Sequence, residues 1–169
     1  MQPVGFSINC LYYWDISLSE KITVLREAGC SAIELCFSKP YPSPRSFAHL
    51  LSFDFVSVHA PCFHSISHRD EFIDYMGSLQ EFIPISAIVL HPDKITNFKP
   101  FIDSGLPFVL ENMDKEKSFG NSFADLQELS RLPVSFIIDT QHAWEEDPSM
   151  DFFVRLKDFL KSRITHAHV

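Results

Sequence analysis

Three observations predict the fold class of this 169-residue chain. Short apolar runs rich in Val, Ile and Phe recur along it, amphipathic helical patterns separate them, and no glycine-rich phosphate loop follows any run. Runs of this kind read as buried parallel strands. Strand–helix alternation repeated this often builds right-handed βαβ units and an all-parallel sheet. The absence of GxGxxG and GxxxxGK[ST] removes the nucleotide-binding doubly wound sheets. The prediction is therefore α/β: a parallel (β/α) TIM barrel with seven strands present and the eighth missing.

The expected strands are Gly5–Asn9, Ser31–Cys36, Phe55–His59, Ala87–His91, Pro107–Glu111, Val134–Asp139 and Ile164–His168. Ser17 or Ser19 can cap a first helix that places Ile22, Leu25 and Ala28 on one face and stops at Gly29. His68 to Phe82 sets Phe72, Ile73, Met76, Leu79 and Phe82 at helical spacing. Asn121 to Arg131 does so with Phe123, Leu126 and Leu129, and Met150 to Leu160 with Phe153, Leu156 and Leu160. The connections Pro40–Leu51 and Lys94–Ser104 are too short or too Pro-rich for more than a turn or two.

Composition bounds the function. One domain, 1–169, is expected from length, and 46% apolar with 21% charged residues describes a globular chain. No apolar run reaches the ~20 residues of a membrane span, and no leader pattern opens the sequence, so a cytoplasmic protein without a membrane partner is expected. The net charge of −8 argues against long nucleic acids as partners. The four cysteines form no metal-type spacing and are expected as buried small apolar residues, Cys62 excepted.

Chemistry gathers where the strands end. The third to seventh runs finish in His59, His91, Glu111, Asp139 and His168. In a parallel sheet those ends share one rim, where barrel active sites are built. Imidazole and carboxylate donors suit Zn²⁺, Mn²⁺ or Fe²⁺, and no thiolate cluster points to a structural zinc. Taken singly, each residue reads as a solvated His, an N-cap or a turn former, and Asn112 as a turn residue. Glu34, on the second run, either faces the same pocket or pairs with a base. His64 and His68 read as loop residues after the third strand. Lys39, Arg45, Arg69, Lys94, Lys115 and Lys117 fall in loops on the ligand side, where a phosphate ester or sugar phosphate would find partners. Glu34, His64, Arg69 and Lys94 are taken as substrate contacts.

His59-Ala60-Pro61, His91-Pro92, Glu111-Asn112, Asp139-Thr140-Gln141-His142 and His166-Ala167-His168 together resemble the motifs of the xylose-isomerase-like TIM barrels (AP endonuclease family 2), most closely the endonuclease IV branch. The resemblance implies that His59 and His91 bind a first metal and that Glu111 bridges to a second. It gives Asp139 and His168 to the second and His142, on the turn after strand six, to a third, with Glu111 and Asp139 carrying the chemistry. His166 competes with His168, since both fall on one face of the strand. Zn²⁺ is the expected ion, with Mn²⁺, Fe²⁺ and Mg²⁺ as alternatives.

Two functions follow from the resemblance. Histidines on strands three and four favour a multi-metal hydrolase of a phosphate ester. A single-metal sugar or sugar-phosphate isomerase or epimerase, using Glu111, Asp139 and His168, is the alternative. A non-catalytic incomplete barrel is the third reading. Cys62 stands where that branch has a DNA-wedging Tyr, and Asp93 follows Pro92 where a Gly is usual. A small phosphorylated or sugar substrate is expected rather than DNA, and an oligomer is compatible with the sequence. The resemblance also expects an eighth-strand Glu, and an Asp and a His shortly after strand seven. Against the ~250 residues typical of the fold, the chain reads as a truncated copy, or as an open barrel closed by a partner.

Overall fold

The computed structural model describes residues 3–11, 13 and 15–169, the side chains at 48, 49 and 51 excepted. It divides into two compact units, residues 1–88 and 89–169.

In the first unit, β1 (Gly5–Ser7), β2 (Ala32–Cys36) and β3 (Phe55–His59) lie parallel in sequential order. β1 approaches β2 so closely that a Cβ at Gly5 would sit 1.7 Å from the Ala32 carbonyl oxygen. Only glycine fits there. β2 and β3 are buried over their three central residues, as strands covered on both faces must be. The helices of this unit are α1 (Leu18–Glu27) and α2 (Ile66–Gln80).

α1 begins where Ser17 and Glu20 form a reciprocal capping box, worth about 1 kcal/mol. It ends in a Schellman turn, with Cys30 N–H donating to the Leu25 carbonyl at 3.1 Å and Gly29 N–H to that of Arg26 at 3.0 Å. Gly29 takes the left-handed φ of +83° that this turn requires. α2 begins two residues earlier than its periodicity predicts, because the Ser65 hydroxyl accepts the His68 amide at 3.1 Å. Phe72, Met76 and Leu79 are its buried face. A 3₁₀ segment, Pro44–Ser52, occupies the Pro-rich connection. Phe37, Tyr41, Phe47, Phe72 and Tyr75 pack there ring on ring.

β4 (Ala87–Leu90) is entirely buried and leads into the second unit. A 3₁₀ turn, Pro92–Lys94, and a single helical turn, α3 (Lys99–Asp103), follow it. β5 (Phe108–Glu111), β6 (Ser135–Asp139) and β7 (Ile164–His168) are again parallel and sequential. A register shift between Phe136 and Ile137 brings Asp139 opposite His168. α4 (Phe123–Leu129), α5 (Thr140–Glu146) and α6 (Asp151–Leu160) complete the unit.

α5 is an addition to the sequence reading, which placed His142 on a turn. The Asp139 carboxylate accepts the His142 amide at 2.8 Å, so β6 passes straight into a helix. α6 starts behind Met150, whose φ is +62°. Asp147 does the capping instead, accepting from the amides of Ser149 (3.0 Å) and Phe152 (2.9 Å). Arg163 gathers the chain between α4 and β6: its guanidinium donates to the carbonyls of Ser130, Leu132 and Val134 and lies over the Phe136 ring.

Among the described residues no helix is long and apolar enough to cross a membrane. The cysteines depart from expectation. Cys10 and Cys62 are exposed and Cys30 and Cys36 half-buried, because Cys10 lies in the 3₁₀ segment Ile8–Leu11, Cys36 ends β2, and Cys30 and Cys62 lie in connections, none of them mid-strand.

Candidate metal centre

β5, β6 and β7 end in carboxylates and an imidazole, and in the second unit these ends meet. The Glu111 side chain is 2% exposed, and imidazoles stand at both its oxygens. His91 Nε2 lies 3.0 Å from Oε2, and His168 Nδ1 lies 3.2 Å from Oε1. His168 Nδ1 is also 3.8 Å from Asp139 Oδ2. His142 Nδ1 stands 4.0 Å from Glu111 Oε1 and 4.0 Å from Asp139 Oδ1. A buried carboxylate is costly unless paired or metal-bound, and here its surroundings supply donors for either.

Two donor sets can be drawn around Glu111 and Asp139. One takes His142, since Glu111, Asp139 and His142 each offer a ligand atom within 4.8 Å of the others. The other takes His168. The His168 nitrogen is nearer each carboxylate taken singly, whereas His142 Nδ1 is already bonded to the Asn112 carbonyl at 2.9 Å. Of the competing histidines on β7, His168 therefore faces Glu111 and Asp139. His166 Nδ1 is 2.9 Å from the hydroxyl of its neighbour Thr165.

Local structure explains these positions. Asp139 is the N-cap of α5, so its Oδ1 is fixed by the His142 amide and its Oδ2 is left toward His168. Thr140 Oγ1 donates to the His168 carbonyl at 3.0 Å, tying α5 to the end of β7. Asn112, buried, bonds both sides of the Asp139 backbone. His91 lies one residue past β4, at the N-cap of the Pro92–Lys94 turn. Asn112 and Thr140 are the positions that residue-type reasoning passed over. Their signal was the pairing Glu111-Asn112 with Asp139-Thr140, in which each ligand-type residue is followed by a short hydrogen-bonding one.

The loop from β5 to α4 adds an ion pair. Asp114 and Lys117 meet at 3.0 Å. Burial raises the Asp114 carboxyl, but the Lys117 hydrogen bond, the Glu116 amide and the charges of Lys117 and His142 outweigh it and hold it below the usual range. The Asp114 hydrogen bond and charge push Lys117 up, with a further contribution from Asp93.

The remaining expected site residues each have local partners of their own. His59 ends β3 in the first unit, opposite Cys36 on β2, with its Nδ1 3.1 Å from the Ala60 carbonyl. Glu34 on β2 is buried and accepts from the Ser57 hydroxyl at 3.3 Å. Burial drives the Cys36 thiol up to about 11, against a lowering hydrogen bond from Ser7.

His64 stays in a loop, its ring stacked on that of His68 at 5.9 Å. His68 and Arg69 belong to the first turn of α2 rather than to a loop, because Ser65 starts the helix there. Arg69 is held by Asp70, Lys94 by Asp93, Lys117 by Asp114 and Lys39 by Glu71. Four of the six loop cations named from the sequence thus face a carboxylate.

No known family model matches the sequence, and no curated protein matches it significantly. Among solved structures, one described as an L-ribulose 3-epimerase is similar at a TM-score of 0.71 and 14% identity, covering 99% of this chain and 69% of that one. The likeness supports a xylose-isomerase-like fold and gives no support to the endonuclease IV branch in particular. The seven parallel strands among the described residues, alternating with helices and in sequential order within each unit, match a partial (β/α) TIM barrel, the fold of that neighbour.

Proposed function

We propose that the chain is a divalent-metal-dependent isomerase or epimerase of a small sugar or sugar phosphate. The observation that carries this reading is the cluster of Glu111, Asp139 and His168 at the ends of β5, β6 and β7. It stands in a fold shared with an epimerase. The donor set fits a cation: two carboxylates and an imidazole, without thiolate, suit Zn²⁺, Mn²⁺ or Fe²⁺, with Mg²⁺ a weaker match.

A cation held there supplies Lewis-acid polarisation of the hydroxy-carbonyl group that such sugars carry. The chain's residues supply position. His91 and His168 fix Glu111 in one orientation, and the α5 amide does the same for Asp139. Glu111, buried, and Asp139, half-buried, are thus carboxylates held in fixed orientations beside His168, as binding and proton handling require.

A second reading, hydrolysis of a phosphate ester, is favoured by one observation. His91 and His168 address opposite oxygens of Glu111, as expected of a carboxylate shared between two cations. The test separates the two. Mn²⁺-, Co²⁺- or Zn²⁺-loaded protein is incubated with ketopentoses, ketohexoses and their phosphates in D₂O, and with bis(p-nitrophenyl) phosphate. The proposal expects deuterium to enter beside the carbonyl, with loss of exchange in Asp139→Asn. Nitrophenolate release without any exchange, abolished by His91→Ala, would overturn it in favour of the hydrolase.

A further inference from the structure

Asn112 follows the last residue of β5 and is 1% exposed. Its side-chain amide closes two hydrogen bonds on one residue of the next strand. Nδ2 donates to the Asp139 carbonyl at 3.0 Å, and Oδ1 accepts the Asp139 amide at 2.8 Å. Its main-chain carbonyl makes a third bond, with His142 Nδ1 at 2.9 Å. A carbonyl only accepts, so that nitrogen carries a proton, and in the neutral ring Nε2 then keeps the lone pair. His142 in turn donates its backbone amide to Asp139 Oδ1. Asn112, Asp139 and His142 close a ring of hydrogen bonds beside Glu111.

From this geometry we infer that Asn112 is a positioning residue for the metal centre, an inference that rests on the metal-dependent reading above. Its amide clasps the Asp139 backbone, so the free oxygen Oδ2 stays toward His168. Its carbonyl accepts the hydrogen bond from His142 Nδ1–H, which removes that nitrogen from the donor set around Glu111 and Asp139 and leaves Nε2 as the ring's one available ligand atom. Outer hydrogen bonds of this kind fix the tautomer and orientation of metal-binding groups, and losing one typically costs about 10–100-fold in metal affinity. A residue that merely forms the turn after β5 would affect folding alone.

The test has a metal-free and a metal-bound arm. In metal-free wild-type protein at about pH 8, where an ordinary imidazole is neutral, long-range ¹H–¹⁵N correlation of the imidazoles reads the tautomer of His142. A pure Nδ1–H form is expected, and an Nε2–H form in the wild type overturns the inference without any variant. In Asn112→Ala the main-chain carbonyl stays and only the clasp on Asp139 is lost, so His142 is expected to keep the Nδ1–H form while Co²⁺ affinity falls about 10–100-fold. A folded Asn112→Ala protein that binds Co²⁺ as the wild type does overturns it equally, as does loss of the tautomer and of Co²⁺ binding together, which is what a merely structural role would give. Failure of wild-type protein to bind Co²⁺ defeats the metal reading, and the tautomer arm still decides what Asn112 does.

Discussion

Replacing Arg163 by Met should cost the protein about 3 kcal/mol. One guanidinium bonds three carbonyls of the α4–β6 connection: Leu132 at 2.7 Å, Val134 at 3.1 Å, and Ser130 at the C-cap of α4. A hydrogen bond to a charged group contributes about 1.5–3 kcal/mol when it is fully desolvated. These are only part-buried, so water recovers some of each carbonyl on replacement, and about 0.8 kcal/mol apiece is the appropriate figure. Met preserves the stem's packing but loses the cation over Phe136, 5.1 Å from the ring centroid, worth about 0.5–1 kcal/mol.

With a urea slope of about 2 kcal/mol/M, the unfolding midpoint should fall by about 1.5 M. Circular dichroism against urea measures it. Arg163→Lys keeps the charge but cannot fork to three acceptors, so it should recover less than half of the loss. A midpoint within about 0.25 M of wild type for Arg163→Met, or full recovery by lysine, would refute the reasoning.

Gly120→Ala should destabilise by more than Gly29→Ala, although both glycines have φ near +85°. At Gly120 the new Cβ would meet Pro92 Cγ at 2.6 Å, whereas nothing lies within 4 Å at Gly29. Thermal unfolding should give about 1–2 kcal/mol for Gly29→Ala and clearly more for Gly120→Ala; equal losses would contradict the packing. Cys36, with its thiol near 11, should react with a thiol reagent far more slowly at about pH 8 than exposed Cys10 and Cys62, since the thiolate is the nucleophile. The sign for stability follows: burial favours the neutral thiol, so this contribution is whole below the ordinary thiol range near 8.5 and lost as pH rises through about 11. A Cys36→Ala variant should flatten the alkaline decline, and an unchanged slope would rule the residue out as its source.

Strand positions were legible because β2, β3, β5 and β6 are buried runs whose apolar residues leave no alternative period. Their ends were less so. β4 stops at Leu90, one residue short of the His91 expected in it, because Pro92 opens a 3₁₀ turn that takes His91 as its cap. α5 went unseen for a related reason. Thr140–Glu146 has one buried residue, Ala143, so no apolar stripe marks it, and the helix depends on the Asp139 cap. That cap, read as an alternative to ligation, is compatible with it: one carboxylate oxygen caps and the other faces His168.

The choice between His166 and His168 depended on register, which a period of two cannot supply. The shift at Phe136/Ile137 supplies it by setting His168 opposite Asp139. The pairing of the loop cations was not legible, since sequence shows their charge and not the carboxylates that Asp70, Asp93, Asp114 and Glu71 place beside four of them.

Calorimetric titration of the metal-free protein with Zn²⁺, Mn²⁺ and Co²⁺, beside Asp139→Asn and His168→Ala, reads whether these side chains hold a cation. Asn caps α5 as Asp does, so the first variant removes a charged donor and leaves the helix. Saturable binding to the wild type, weakened more than about 100-fold in each variant, is the result predicted from Glu111, Asp139 and His168 as the ligand set. Absence of binding, or affinity untouched by both replacements, would contradict it.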